Sequence, residues 1–196
     1  MKYVYFVRHS IRDFTIKEDR EAPLTEEGVK LANGLTLFFL NKNISNIYTS
    51  PYLRAVQTIE PTANLLKINM VLEDNLRERT VGNWVDNFSD FALNQWNNFD
   101  FKLDNGESLN EVQQRMVTIY NKIFKKEKGN IIISGHGTSL ATLFNSILGD
   151  NFGFKEFTRM NMPDVYCAKY EDDVLIDFKN PLKFWLLISI KFLVMN

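Results

Sequence analysis

Tyr3-Val-Tyr-Phe-Val7 and Ile131-Ile-Ile133 are short apolar runs, and each breaks abruptly on polar chemistry. Arg8-His9 follows the first run, and Ser134-Gly-His-Gly-Thr-Ser139 follows the second. Neither alternates apolar with polar residues, which predicts strands covered on both faces, as in a parallel sheet flanked by helices. His9 and His136 are the chain's only histidines. Open α/β sheets gather ligands outside the carboxyl ends of their strands, so both imidazoles fall where such a fold builds its site.

The elements between these runs fit a doubly covered sheet. Thr25 before Glu26 and Glu27 reads as a helix cap with acids in the first turn, and Leu31, Leu35, Phe38 and Phe39 form an apolar stripe. Ile44 to Thr49 reads as a second strand, and Ser50-Pro51 as the start of a helix carrying Arg54 near its N-terminus. Asn69 to Leu72 suits an edge strand, whereas Asp74 to Asn105 lacks a clear period and reads as irregular or short-helical. Ser108 and Glu111 have the spacing of a capping box before the stripe Val112, Met116, Ile119, Tyr120 and Ile123, with Gly129 closing that helix. A helix from Leu140 to Leu148 follows the second histidine. Together these give a three-layer α/β/α sandwich with a mostly parallel sheet, in one domain over residues 1–196.

Composition narrows the function. A net charge of -1, from 23 basic and 24 acidic residues, provides no broad field for nucleic acid or anionic lipid, so any anion site is local. The single cysteine, Cys167, excludes an internal disulfide and a multi-cysteine metal cage, and the N-terminus lacks a signal-peptide pattern, which makes the cytoplasm the expected compartment. The apolar stretch from Lys183 to Met195 is too short to span a bilayer and contains Lys191; a core element or a homodimer contact is expected there. Neither histidine has an acid at ligand spacing beside it, so no metal site is expected. Arg8, His9, Arg54 and His136 around one pocket would suit a phosphoryl group, with helix N-termini after Pro51 and Gly137 adding N–H donors. Nearby cations would keep one imidazole unprotonated and nucleophilic.

Phe6-Val-Arg-His-Ser10 resembles the arginine-histidine-glycine signature of the histidine phosphatase superfamily, which includes the phosphoglycerate mutases. Pro23-Leu-Thr-Glu-Glu-Gly28, Tyr48 to Thr58, Leu76 to Trp84, Gly106-Glu-Ser108 and Ser134-Gly-His-Gly137 resemble further family blocks, in the family's order. The resemblance implies a phosphoglycerate mutase-like six-stranded sheet with one antiparallel strand, and a metal- and cofactor-independent phosphatase acting on a small phosphate ester. It implies that His9 carries a phosphohistidine, that Arg8, Arg54 and His136 hold the phosphoryl oxygens, and that Glu78 is the proton donor. Ser10 stands in place of the usual glycine and Thr15 in place of a frequent asparagine. Ser10, Arg12, Thr15 and Gly137 are the expected substrate contacts. Gly82-Asn-Trp84 is closer to phosphatase members than to mutases. A mutase, or a weakly catalytic protein that binds phospho-ligands, is the alternative.

Overall fold

A computed structural model describes residues 1–83 and 85–182. Trp84 and the apolar tail from Lys183, with the dimer contact expected there, lie outside the described residues. In chain order the elements are β1 (Lys2–Arg8), α1 (Glu26–Phe39), β2 (Ile44–Thr49), α2 (Leu53–Leu66), β3 (Met70–Leu72), α3 (Phe88–Asn97), α4 (Leu109–Lys126), β4 (Asn130–Gly135), α5 (Gly137–Leu148), α6 (Phe154–Phe157), β5 (Asp164–Glu171) and β6 (Val174–Lys179).

The strands form one six-stranded sheet in the order β3-β2-β4-β1-β5-β6. β1 pairs parallel with β4, and β2 parallel with β3 and β4; β5 runs antiparallel to both β1 and β6. One strand is therefore reversed, and the other five share a direction. Along β1 the side chains alternate between two cores. Val4 and Phe6 join Met116, Ile131, Ile133, Leu140 and Phe144 under α4 and α5. Tyr5 and Val7 join Leu35, Phe39, Ile47, Ile59 and Ile132 under α1 and α2. Burial of one large side chain such as Phe6 contributes roughly 1.5–3 kcal/mol, and both faces must be covered to collect it. These two cores produce the expected three layers.

The register sets the C-terminal ends of the three central strands side by side. Arg8 lies opposite Gly135 and Thr49 opposite Ser134, and the His9 and Ser50 amides donate to the Gly135 and Ser134 carbonyls, each at 3.0 Å. Arg8-His9, Ser50 and His136 thus leave the sheet at one edge.

Several local expectations change. The capping box at Ser108 forms with both hydrogen bonds, but α4 ends at Lys126 with Glu127 in an extended conformation rather than at Gly129. The buried Lys2 ammonium donates to the Phe124 and Glu127 carbonyls and terminates that helix from the sheet side. α2 begins at Leu53 rather than at Pro51, with Tyr52 as its extended N-cap residue; the Ser50 hydroxyl lies 2.8 Å from His136 Nε2 and accepts from the Tyr52 amide at 3.3 Å. α5 begins three residues before Leu140. The region from Asp74 to Asn105 contains a ten-residue helix, α3, capped by Asn87 accepting from the Asp90 amide. Its inner face includes the fully buried Gln95, whose amide donates to the Phe101 and Glu107 carbonyls, and this polar residue breaks the apolar period that would mark a helix.

Candidate active site

A cavity of about 260 Å³ opens at the carboxyl end of the sheet and is lined by Arg8, His9, Arg12, Arg54, Glu78, Gly137 and Thr138, with Arg79, Asp19 and an apolar wall including Phe14, Val81, Phe88, Phe157 and Met162. The two histidine rings lie 5.2 Å apart, centroid to centroid.

His9 is 5 % exposed, and its Nδ1 lies 2.7 Å from the Ser10 carbonyl oxygen. A carbonyl only accepts, so Nδ1 carries the proton and Nε2 of the neutral ring keeps its lone pair. Burial pushes the pKa of His9 well below 6.5, and the guanidiniums of Arg54, Arg8 and Arg12 push it the same way against the Ser10 carbonyl. His136 is fully buried; its Nε2 is 2.8 Å from the Ser50 hydroxyl, and its Nδ1 has no partner among the described residues. Burial, then Arg54 and the His9 ring, hold its pKa far down as well.

These two shifts have a measurable consequence. The unfolded chain takes up protons on both histidines as pH falls below about 6.5, while the folded chain does not, so stability falls with decreasing pH below that value. Each ring contributes a slope of up to about 1.4 kcal/mol per pH unit until its folded pKa is reached. Urea unfolding between pH 7.5 and 5 is expected to show this decline, and a His136→Gln variant to show a shallower one. A flat profile contradicts the buried neutral pair.

Arg8 donates from Nη1 to the Met160 carbonyl at 2.7 Å, and its guanidinium lies flat against Gly137, where a Cβ would come within 3.0 Å of its central carbon. Arg54 is 2 % exposed. Its Nη2 is 3.2 Å from Asp19 Oδ2, and its Nη1 donates to the Asp19 carbonyl. The other oxygen of Asp19 is taken by Arg12. Among the described residues, the buried Nε atoms of Arg8 and Arg54 have no acceptor. Arg8 and Arg54 both line the cavity, and their orphaned Nε donors match an anion of several oxygens; His136 sits beside His9 but is not part of the cavity lining.

Glu78 accepts three backbone amides, those of Arg79 at 2.7 Å and of Thr138 and Ser139 at 3.0 Å each. The last two belong to the first turn of α5, so the carboxylate caps this helix from outside the chain segment that forms it. That arrangement occupies donors expected to face a ligand. At the start of α2 the Leu53 amide is likewise taken, by the Arg20 carbonyl.

Two expected substrate contacts are not in the cavity. Ser10 is fully buried; its hydroxyl donates to the Gly28 carbonyl at 2.8 Å, and its amide donates to the Thr58 hydroxyl at 2.8 Å. The side chain stitches the end of β1 to α1 and α2, where Gly28 leaves no room for a Cβ against the Ile11 carbonyl. Ser10→Ala is expected to cost about 1–2 kcal/mol of stability while KM for a phosphate ester stays within twofold, because a buried acceptor loses its donor and nothing in the cavity changes. A raised KM at unchanged stability would restore Ser10 to the substrate. Thr15 is exposed and closes a turn on the Asp13 carboxylate through its amide and hydroxyl. Arg12 and Gly137 do line the cavity. Asp19, Arg79 and Ser50 were not expected at the site. Asp19 lies in a run of mixed charge from Arg12 to Arg20, and Arg79 lies close to Asp74, Arg77 and Glu78, patterns that solvated surfaces share. Among the described residues no three His, Cys, Asp or Glu side chains converge as a metal site, and no helix is long and apolar enough to cross a membrane.

A family model described as the histidine phosphatase superfamily (branch 1) matches residues 4–174. A putative phosphoserine phosphatase 2 of Hydrogenobacter thermophilus is 27% identical over 162 residues, covering 76% of this chain and 80% of the relative. A probable phosphoglycerate mutase GpmB of Yersinia pestis is 26% identical over 163 residues, covering 76% of each chain. Among solved structures, the mycobacterial glucosyl-3-phosphoglycerate phosphatase Rv2419c in complex with inorganic phosphate has a TM-score of 0.74 at 16% identity, covering 92% of this chain and 95% of that one.

Proposed function

The chain belongs to the histidine phosphatase superfamily (branch 1), and on that premise we propose that it hydrolyses small phosphate monoesters through a phosphohistidine on His9. The observation that carries this reading is the Nδ1-bonded His9, which lines the cavity together with Arg8 and Arg54 and lies 5.2 Å, ring to ring, from His136, with Nε2 free to attack. In the first half-reaction Nε2 forms a bond to phosphorus as the bond to the ester oxygen breaks, and Glu78 gives a proton to the departing alkoxide. In the second, water attacks phosphorus, Glu78 takes its proton, the P–N bond breaks, and inorganic phosphate and neutral His9 are restored. The orphaned Nε donors of Arg8 and Arg54 are suited to the equatorial oxygens, where charge develops, and His136 next to His9 is the further donor this reading assigns to them. Glu78 Oε2 accepts only the Thr138 amide and so keeps a lone pair for the transferred proton while the amides of α5 stay bound.

The likeness to a phosphoglycerate mutase supports a second reading, in which the phosphoryl group returns from His9 to another hydroxyl of the substrate. A panel of phosphorylated metabolites and p-nitrophenyl phosphate separates the two. Release of inorganic phosphate is expected across several esters. Interconversion of phosphoglycerate isomers without release would replace hydrolysis by transfer, and binding without turnover would leave a phospho-ligand-binding protein.

A further inference from the structure

Glu78 lies in the irregular chain between β3 and α3, past one short helical turn at Asp74–Leu76, so no strand or long helix fixes its backbone. What holds that backbone comes from α4. The Arg115 guanidinium has five N–H donors, and all five are engaged. Nη1 donates to the carbonyls of Asn75 and Arg77 at 2.8 and 2.9 Å, and Nη2 to the carbonyl of Glu78 at 3.2 Å. Nε and Nη2 take the two oxygens of Glu107 at 2.8 and 3.1 Å. Glu107 grips the same segment from its other side. Its carboxylate accepts from Arg77 Nη2 at 2.8 Å and from the Thr80 amide at 2.9 Å, and its own amide donates to the Thr80 carbonyl at 2.8 Å.

Three carbonyls within four residues, all accepting from one planar fork, define the path of the chain through Glu78. The fork is itself immobilised by a bidentate, charge-assisted bond to Glu107, and the two side chains are only 10 % and 16 % exposed. A lysine, with three donors on a rotating point charge, cannot serve three carbonyls and a carboxylate at once. Neither Arg115 nor Glu107 lines the cavity, whereas Glu78 and Arg79, in the segment they hold, both do. An effect of Arg115 on turnover therefore passes through that segment. Its carboxylate end is set by the amides of Arg79, Thr138 and Ser139, and its backbone end by Arg115, so the acid is fixed at both ends.

We infer that Arg115, locked to Glu107, is a positioning residue that sets the reach of the Glu78 carboxylate to the ester oxygen without touching substrate. This rests on the proton transfer proposed above for Glu78 and adds the device that makes it effective. The test compares kcat/KM for glycerol 2-phosphate, an alkyl ester, and p-nitrophenyl phosphate, whose leaving group needs no proton, in the full chain and in Arg115→Lys. The alkyl ester is expected to lose about 10- to 100-fold, the scale of a misplaced catalytic group, and the aryl ester less than about threefold. A merely structural role lowers both alike, through the fraction of folded chain. Added to Glu78→Gln, Arg115→Lys is expected to cost less than about twofold more on the alkyl ester, because two residues acting through one proton are not additive. If the lysine variant does not fold, Glu107→Gln, which keeps the shape and loses the charge, carries the same measurements. No loss, equal losses on the two esters, or an undiminished further loss in the Glu78→Gln background overturns the positioning role and spares the phosphatase reading. A Glu78→Gln variant that treats the two esters alike removes the proton donor and Arg115's role with it. Hydrolysis of neither ester by the intact chain overturns both readings.

Discussion

His9→Ala is expected to lower phosphate release by about 10⁴- to 10⁶-fold, the scale on which removal of a covalent nucleophile acts, with the residue coming from the remaining donors of the clamp. The imidazole is held by one hydrogen bond to the adjacent carbonyl and faces the cavity, so its removal opens space there and leaves both apolar cores as they are. Folding is therefore expected to survive, checked by thermal unfolding. Stability at pH 5 is expected to rise relative to the parent, because one buried imidazole no longer resists protonation. A second readout reports on the intermediate itself. The parent, quenched in base during turnover of a ³²P-labelled ester, is expected to retain acid-labile label on the protein, and His9→Ala to retain none. Turnover that persists in the variant would falsify the nucleophile assignment.

Glu78→Gln is expected to act differently on different leaving groups. Alkyl esters need a proton on the departing oxygen and are expected to lose about 10²- to 10⁴-fold in kcat/KM. An aryl ester such as p-nitrophenyl phosphate leaves without that proton, so formation of the phosphohistidine is largely spared while its hydrolysis, which needs a base for water, is slowed. The variant is therefore expected to release a burst of nitrophenol equal to the enzyme concentration, followed by a slow steady state. Equal losses for both classes with no burst would remove Glu78 from proton transfer and leave it as the cap of α5. That capping role carries its own signature. Glutamine retains one acceptor oxygen but loses the charge at the helix N-terminus, so a stability loss of about 0.5–2 kcal/mol is expected.

Much of this arrangement is legible in the chain before any coordinates. β1 and β4 announce themselves as unbroken apolar runs, and the side-by-side ends of parallel strands follow from that class of sheet. The Ser108–Glu111 box is local chemistry and forms as written. What escapes is non-local. Ser10 follows the nucleophile in sequence, yet its hydroxyl points to Gly28, a partner that only the packing of α1 reveals. α3 is obscured by Gln95, a polar residue whose burial is compensated by two carbonyls of the loop between α3 and α4. Asp19 and Arg79 sit in stretches rich in both charges, where sequence cannot say which ions pair with each other and which face a cavity.

Asp19 also changes what it means for an anion to enter this pocket. Because its carboxylate already spans Arg12 and Arg54, a phosphoryl group that reaches beyond the open Nε of Arg54 to its terminal nitrogens does so by exchange with a resident, tethered anion. A competitor fixed on a flexible leash acts at an effective concentration of the order of millimolar. Apparent affinity is then a difference between two anions on the same guanidinium, and it varies with how far the segment from Arg12 to Arg20 lets its acid stray. Changes in the length or stiffness of that segment, with every atom of the clamp left alone, become a dial on substrate and product occupancy alike.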